Sequence, residues 1–213
     1  GMDVEEDRAV IWEIDRESGA SRIFASGIRN PTALAFDPWQ ERLWAVVNER
    51  DELGPQLVPD YLTSVKDGAF YGWPYSYYGQ TVDPRGKPAR PALVEKAIAP
   101  DYALGSHVAA LGLDFTTDGG LGGFFGEGAF VGMHGSWNRA DPSGYKVVFV
   151  PFRDGRPAGE PVDLLTGFLK DGHARGRPVG VTYDGERGVL YVADDVSNTV
   201  WRVALNMSGG QSD

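Results

Sequence analysis

Cysteine is absent from the 213 residues. Its absence excludes a disulfide framework, a thiolate zinc site and a cysteine nucleophile. Positive charge is also scarce: 20 Lys and Arg face 30 Asp and Glu, a formal net charge of −10. Binders of nucleic acid or anionic membranes need a basic surplus, so both classes fall away. No apolar run approaches the roughly 18 residues that read as a membrane span. The three histidines lack His-x-His or His-Glu-x-x-His spacing and make no zinc site. Ser106 and Ser136 lack the Gly-x-Ser-x-Gly setting of a serine hydrolase. The acidic start has no signal-peptide core, and Gly1 before Met2 reads as a tag-cleavage scar.

Turn formers and strand formers are plentiful. Glycine (29) and proline (14) make up about a fifth of the chain, and aromatic residues 12%. That is the composition of short strands joined by many turns. Alternating apolar residues predict a hairpin from 9–15 and 21–25. Further strands are expected over 32–36, 42–47, 110–115, 128–132, 145–152, 178–183, 188–193 and 199–204. Pro59–Thr63 is the one segment expected to form a short helical turn.

An internal repeat organises these strands. Pro31–Asp37, Val108–Asp114 and Pro178–Asp184 each read as a strand of small and apolar residues ending at an Asp. Each is followed by a turn and a second apolar strand. The spacing, about 70–77 residues, exceeds the roughly 40–50 of common propeller blades, so each unit carries inserts. Small residues in the first strand suit the crowded centre of a radial array. The fold expected is all-β: a β-propeller of about three four-stranded blades over residues 1–213, with a β-sandwich as the alternative. Closed propellers take about 4–8 blades. Three blades form an arc whose open edges invite self-association or a homodimer.

Several motifs carry a family resemblance. They are Gly27-Ile-Arg-Asn-Pro31, Val47-Asn-Glu-Arg-Asp-Glu-Leu-Gly54, Pro59-Asp-Tyr-Leu62, Gly68-Ala-Phe-Tyr-Gly-Trp-Pro74, His134-Gly-Ser-Trp-Asn-Arg139, Gly144-Tyr-Lys-Val147, Gly176-Arg-Pro-Val-Gly180 and Val192-Ala-Asp-Asp195. Their order and spacing resemble the glucose/sorbosone dehydrogenase family, with the segment from His134 resembling its sorbosone branch. The family comprises soluble aldose dehydrogenases that use pyrroloquinoline quinone (PQQ) on a six-bladed propeller. The resemblance covers the C-terminal half of the family's length, which implies half of a six-bladed ring.

The resemblance assigns candidate site residues. Arg29 and Asn30 precede an inner strand and match the pair that holds the quinone. An Arg fork suits the carboxylates of this planar trianion. The alternative is a rim salt bridge and a turn cap. Arg175 and Arg177 occupy the equivalent junction of the third unit. Two apart on an extended strand, they are expected to point the same way and to converge with Arg29; the alternative is a pair of loop charges. Asn48, Glu49 and Arg50 match the segment that supplies calcium ligands, partly from backbone carbonyls, although the family's usual Gln-Gly-Pro is replaced. The alternative is an acidic surface turn. His107 and His134 stand where the family has a Thr and a cofactor-contacting Lys, and are expected at the same axial end as Arg29. Asp195 matches an acidic residue near the cofactor, while Asp194 is expected to cap a turn. The aromatic group Tyr71, Trp73, Tyr75, Tyr77 and Tyr78 is expected to pack between blades.

The resemblance implies oxidation of a sugar at C1, with a His base, calcium polarising the quinone and arginines holding it. The matching His belongs to the family's N-terminal half, so no catalytic residue is assigned here. The reading is a fragment of a PQQ- and calcium-dependent aldose or sorbosone dehydrogenase, inactive alone, from a periplasmic or secreted parent. A non-catalytic binding module and a calcium-dependent lactonase are the alternatives.

Overall fold

The computed structural model describes residues 7–206; Gly1 to Glu6, including the expected cleavage scar, lie outside the described residues. The hairpin of β1 (Val10–Ile14) and β2 (Ser21–Ser26) comes first. Then β3 (Pro31–Phe36), β4 (Leu43–Val47) and β5 (Pro59–Ser64) form consecutive antiparallel strands. An insert follows, with the ribbon β6 (Ser76–Tyr77) and β7 (Thr81–Val82) and a single turn, α1 (Pro91–Val94). After it, β8 (Tyr102–Ser106) returns to pair with β5. The next sheet holds β9 (Ala110–Phe115) and, after α2 (Gly120–Phe125), β10 (Gly128–Met133) and β11 (Lys146–Arg153). Besides β10, two strands pair with β11, the short β12 (Arg156–Pro157) and the outer β13 (Val162–Leu165). The ribbon β14 (Leu169–Lys170) and β15 (His173–Ala174) leads to a sheet of β16 (Pro178–Asp184), β17 (Val189–Asp194) and β18 (Thr199–Ala204).

The radial order follows from burial on both faces of the strands. In β4, Trp44 and Val46 join one apolar cluster, and Ala45 and Val47 another. In β11, Val148, Val150 and Phe152 face the first cluster, and Val147 and Phe149 a third. Period-2 alternation that is apolar on both faces requires a neighbour on each side. Sheets therefore stack face to face, and their first strands β3, β9 and β16 lie side by side. Thr32 Oγ1 donates to the Ala110 carbonyl across that inner seam (2.6 Å). Small residues do mark the crowded centre. A Cβ on Gly112 would collide with the Val179 carbonyl oxygen, and one on Gly132 would meet the same atom at 2.6 Å. The chain is a β-propeller arc.

Two expectations change. Pro59–Thr63 is strand β5, not a helical turn. Its Asp60 lies buried and accepts from the backbone N–H of Glu49 (2.8 Å) and Ala109 (2.7 Å). The last sheet has three strands, and the N-terminal hairpin supplies only two of another. Among the described residues no helix is long and apolar enough to cross a membrane.

Buried Asp residues fix the turns. Asp37 caps Trp39 and Gln40 N–H and accepts from Trp44 Nε1, seven residues on. Asp194 repeats the device, accepting from Arg177, Val196 and Ser197 N–H and from Trp201 Nε1 at 3.1 Å, again seven residues on. Burial alone would raise Asp194, but hydrogen bonds from Ser197, Arg177 and Trp201 outweigh it and hold the carboxyl at about 2.

Two outcomes follow. Asp194→Asn lowers stability by about 1–2 kcal/mol at pH 7 in urea unfolding. Since the folded pKa is depressed, the deficit is full above about pH 4 and closes as pH falls toward about 2. Gly112→Ala, at a backbone contact that cannot yield, costs about 1–3 kcal/mol.

Candidate functional site

The turn after β4 makes the site. Asn48 N–H donates to the Asn30 carbonyl (3.0 Å), Glu49 N–H to Asp60 Oδ1, and Arg50 N–H to Glu49 Oε1 (2.9 Å). With these N–H groups tied, the carbonyls of Asn48 and Glu49 face the other way, onto Arg29. Arg29 Nη1 donates to Asn48 O (3.3 Å) and to Glu49 O, and Nη2 to Asp51 Oδ2 (2.9 Å). The guanidinium also lies 5.5 Å from the Trp73 ring centre.

These groups line a cavity of about 190 Å³ with Asn30, Asp60, His107, Ala109 and Trp137. Arg29, Asn30, Asn48, Glu49 and His107 thus meet in one place, from two neighbouring sheets. His107 is buried, with Nε2 3.1 Å from the Gly54 carbonyl. Its Nδ1 lies 3.3 Å from Asp51 Oδ1 and 3.4 Å from Asn138 Nδ2. Trp137 stands exposed at the rim. Burial pushes Glu49 up to about 7 and Asp60 up to about 6.

The arginines do not converge. Arg175 lines a separate apolar groove with Phe168 and Trp201. Arg177 turns the other way: Nη2 donates to the Gly135 and Ser136 carbonyls and to Tyr145 OH, over whose ring it lies at 4.9 Å. Its backbone is tied to Asp194, which sets this divergence. The strand-periodicity argument fails because residues 175–177 precede β16. His134 lies outside the cavity lining and pairs through Nε2 with Asp195 at 3.1 Å. The segment 134–139 still links both clusters, since Asn138 Nδ2 reaches Asp51 Oδ1 (3.3 Å).

Arg50 also departs from its expected role. Its carbonyl accepts from Val58 N–H, and its side chain joins Asp83 and packs 4.2 Å from the Trp73 ring centre. The aromatic group packs as expected in part: Tyr71 is buried and donates to the Ser64 carbonyl (2.6 Å), and Tyr78 meets Tyr61 edge-on. Asp51, expected with Asn48, Glu49 and Glu52 to offer oxygens to a cation, does line the cavity, whereas Asp60, Trp137 and Asn138 are residues the sequence reading assigned no role. Trp137 and Asn138 sit inside the His134–Arg139 motif, where a signal was present.

An anionic quinone and a hard cation fit this wall in kind. Arg29 and Asn30 offer donors, and Trp137 offers a flat face. Asn48 and Glu49 carbonyls and the Glu49 and Asp51 carboxylates offer hard oxygens. Asn48 Oδ1 and Asn138 Oδ1 are buried acceptors without a hydrogen-bond partner. Glu49, Asp51 and Asp60 surround one guanidinium, so added positive charge favours entry of an anion. Among the described residues no three His, Asp or Glu groups are arranged to hold a metal.

Comparison with known proteins gives two family matches. A family described as Glucose / Sorbosone dehydrogenase matches residues 8–136, and one described as TrAA12-like matches residues 93–206. An uncharacterized protein of Borreliella burgdorferi is 31% identical over 200 residues, covering 92% of this chain and 52% of that protein. The pyrroloquinoline quinone-dependent pyranose dehydrogenase of Coprinopsis cinerea is 35% identical over 133 residues, 53% of this chain and 17% of that protein. A solved Trichoderma reesei structure from carbohydrate-active enzyme family AA12 superposes with a TM-score of 0.77 at 20% identity. That superposition covers 93% of this chain and 60% of the other. The chain spans about half the length of the Borreliella relative.

Proposed function

The chain belongs to the glucose/sorbosone dehydrogenase family, and on that premise we propose that it is the C-terminal part of a quinoprotein sugar dehydrogenase, one wall of a site for PQQ and calcium. The observation that carries this reading is the Arg29 cavity, where motif residues of two blades meet. The relative in Coprinopsis cinerea supports the cofactor by its name. Arg29, Asn30 and His107 would face the quinone's carboxylates, and Asn48 and Glu49 would offer oxygens to calcium. Arg177, committed to carbonyls, keeps the Gly135–Ser136 backbone next to Trp137 in place. A quinone held there would supply an acceptor for the hydride of a sugar's hydroxyl carbon.

Among the described residues, those lining the cavity bind and orient, and its imidazole is not a free base. His107 is the one cavity imidazole, and both of its nitrogens are engaged. The His134–Asp195 pair lies to one side. The proton acceptor is therefore assigned to the part of a longer parent that faces this wall, a parent read as periplasmic or secreted. The open edges of β1 and β18 would pair with strands of that part, and in the free chain with a second copy. Asn48, Asn138, Glu49, Asp51 and Asp60 around one cavity also favour a metal-dependent lactonase as a second reading.

A PQQ titration followed by tryptophan fluorescence separates these. The longer parent binds saturably with calcium, and Arg29→Ala weakens binding about tenfold or more. The chain alone binds more weakly. No binding by the parent contradicts the quinoprotein reading, and lactone turnover without quinone installs the second.

A further inference from the structure

We infer that Arg29 is a tethered cation occupying the oxygens that a divalent ion would take, so that ion binding and release of the Arg29 guanidinium into the cavity are one event. The inference deepens the proposed function, and its anion arm rests on that reading.

The first observation is the oxygen nest. One guanidinium nitrogen of Arg29 receives two consecutive carbonyls, Asn48 O and Glu49 O, and the other nitrogen takes Asp51 Oδ2. Those carbonyls cannot turn away. The N–H groups of Asn48, Glu49 and Arg50 are each tied on the far side, and the next carbonyl, of Arg50, is taken by Val58 N–H. The nest is preformed, and Arg29 fills it.

The second observation is that one guanidinium does not satisfy it. Asn48 Oδ1 and Asn138 Oδ1 remain buried without a donor, and Glu49 and Asp60 are carboxyls almost wholly withdrawn from water. A hard divalent ion takes six to eight oxygens. A guanidinium offers N–H groups in one plane.

The third observation is that Arg29 can leave by side-chain motion alone. Its backbone neighbours are anchored: Ile28 N–H donates to the Ala9 carbonyl (2.9 Å), and the Gly27 carbonyl accepts from Trp73 N–H (3.0 Å). Trp73 and the cavity flank the guanidinium, so a displaced Arg29 presents its fork to an anion there. Cation and anion then promote each other's binding by the same factor.

The cation arm uses terbium luminescence sensitised by tryptophan, with calcium as competitor, on this chain. Arg29→Met and the more polar Arg29→Gln bind terbium at least about tenfold more tightly than wild type, and Arg29→Lys stays close to wild type. In wild-type protein the Nε–H NMR signal of Arg29 shifts on calcium addition with the same midpoint as binding. Folded variants that bind terbium no more tightly than wild type overturn the inference. So does an Arg29 signal unmoved at saturating calcium, which needs no variant. The anion arm measures PQQ affinity of the longer parent with calcium and with chelator. The exchange predicts that calcium raises PQQ affinity and PQQ raises calcium affinity equally. PQQ that fails to bind in either condition defeats the quinone reading, while the terbium and NMR results still decide the exchange.

Discussion

Burial on both faces of alternating strands is the constraint from which the architecture follows. Trp44 and Val46 point one way and Ala45 and Val47 the other, and β10 and β11 repeat the pattern. A sheet apolar on both sides is stable only between two others. Each buried Val, Leu or Phe contributes about 1.5–3 kcal/mol. Stacking alone would allow many offsets between sheets. The inner seam selects one, because Gly112 and Gly132 admit the backbone of β16 only where no Cβ intervenes.

The site is a consequence of that stacking. Inner strands of adjacent sheets end at the same level, so the turn after β4 meets the segment before β9. Asp60 ties them, accepting from Glu49 on its own sheet and from Ala109 on the next. The same turn exposes two carbonyls and places a buried carboxyl behind them. The local field is acidic, in keeping with the −10 of the whole chain. One arginine and the hydrogen bonds around Asp51 offset that field only in part.

Most strands were legible because their apolar alternation is strong; the inner strands β3, β9 and β16 and the outer β18 begin or end within a residue or so of expectation. β5 was hidden because Pro59-Asp60 reads as a turn, and only the third dimension supplies the N–H groups that satisfy Asp60. α2 was hidden by its glycines, whose low helix propensity is overridden by docking of Leu121 into the third cluster. At the candidate site, Arg29, Asn30, Asn48 and Glu49 were singled out through motif resemblance and His107 through its place before an inner strand, and all five line one cavity. The divergence of Arg175 and Arg177 was not, since it depends on Asp194 capturing a backbone N–H seventeen residues away in sequence. Arg50 likewise was read for its carbonyl, while its side chain belongs to a second layer with Asp83 and Trp73.

The central claim is that a quinone and a divalent ion meet at the Arg29 cavity. Hydrogen–deuterium exchange of the longer parent, with and without PQQ and calcium, tests it most directly. The account predicts added protection confined, within this chain, to residues 28–31, 47–51, 106–109 and 134–139, strongest when both ligands are present. Protection centred instead on the Phe168–Trp201 groove, or no change at the Arg29 cavity at saturating ligand, would contradict it.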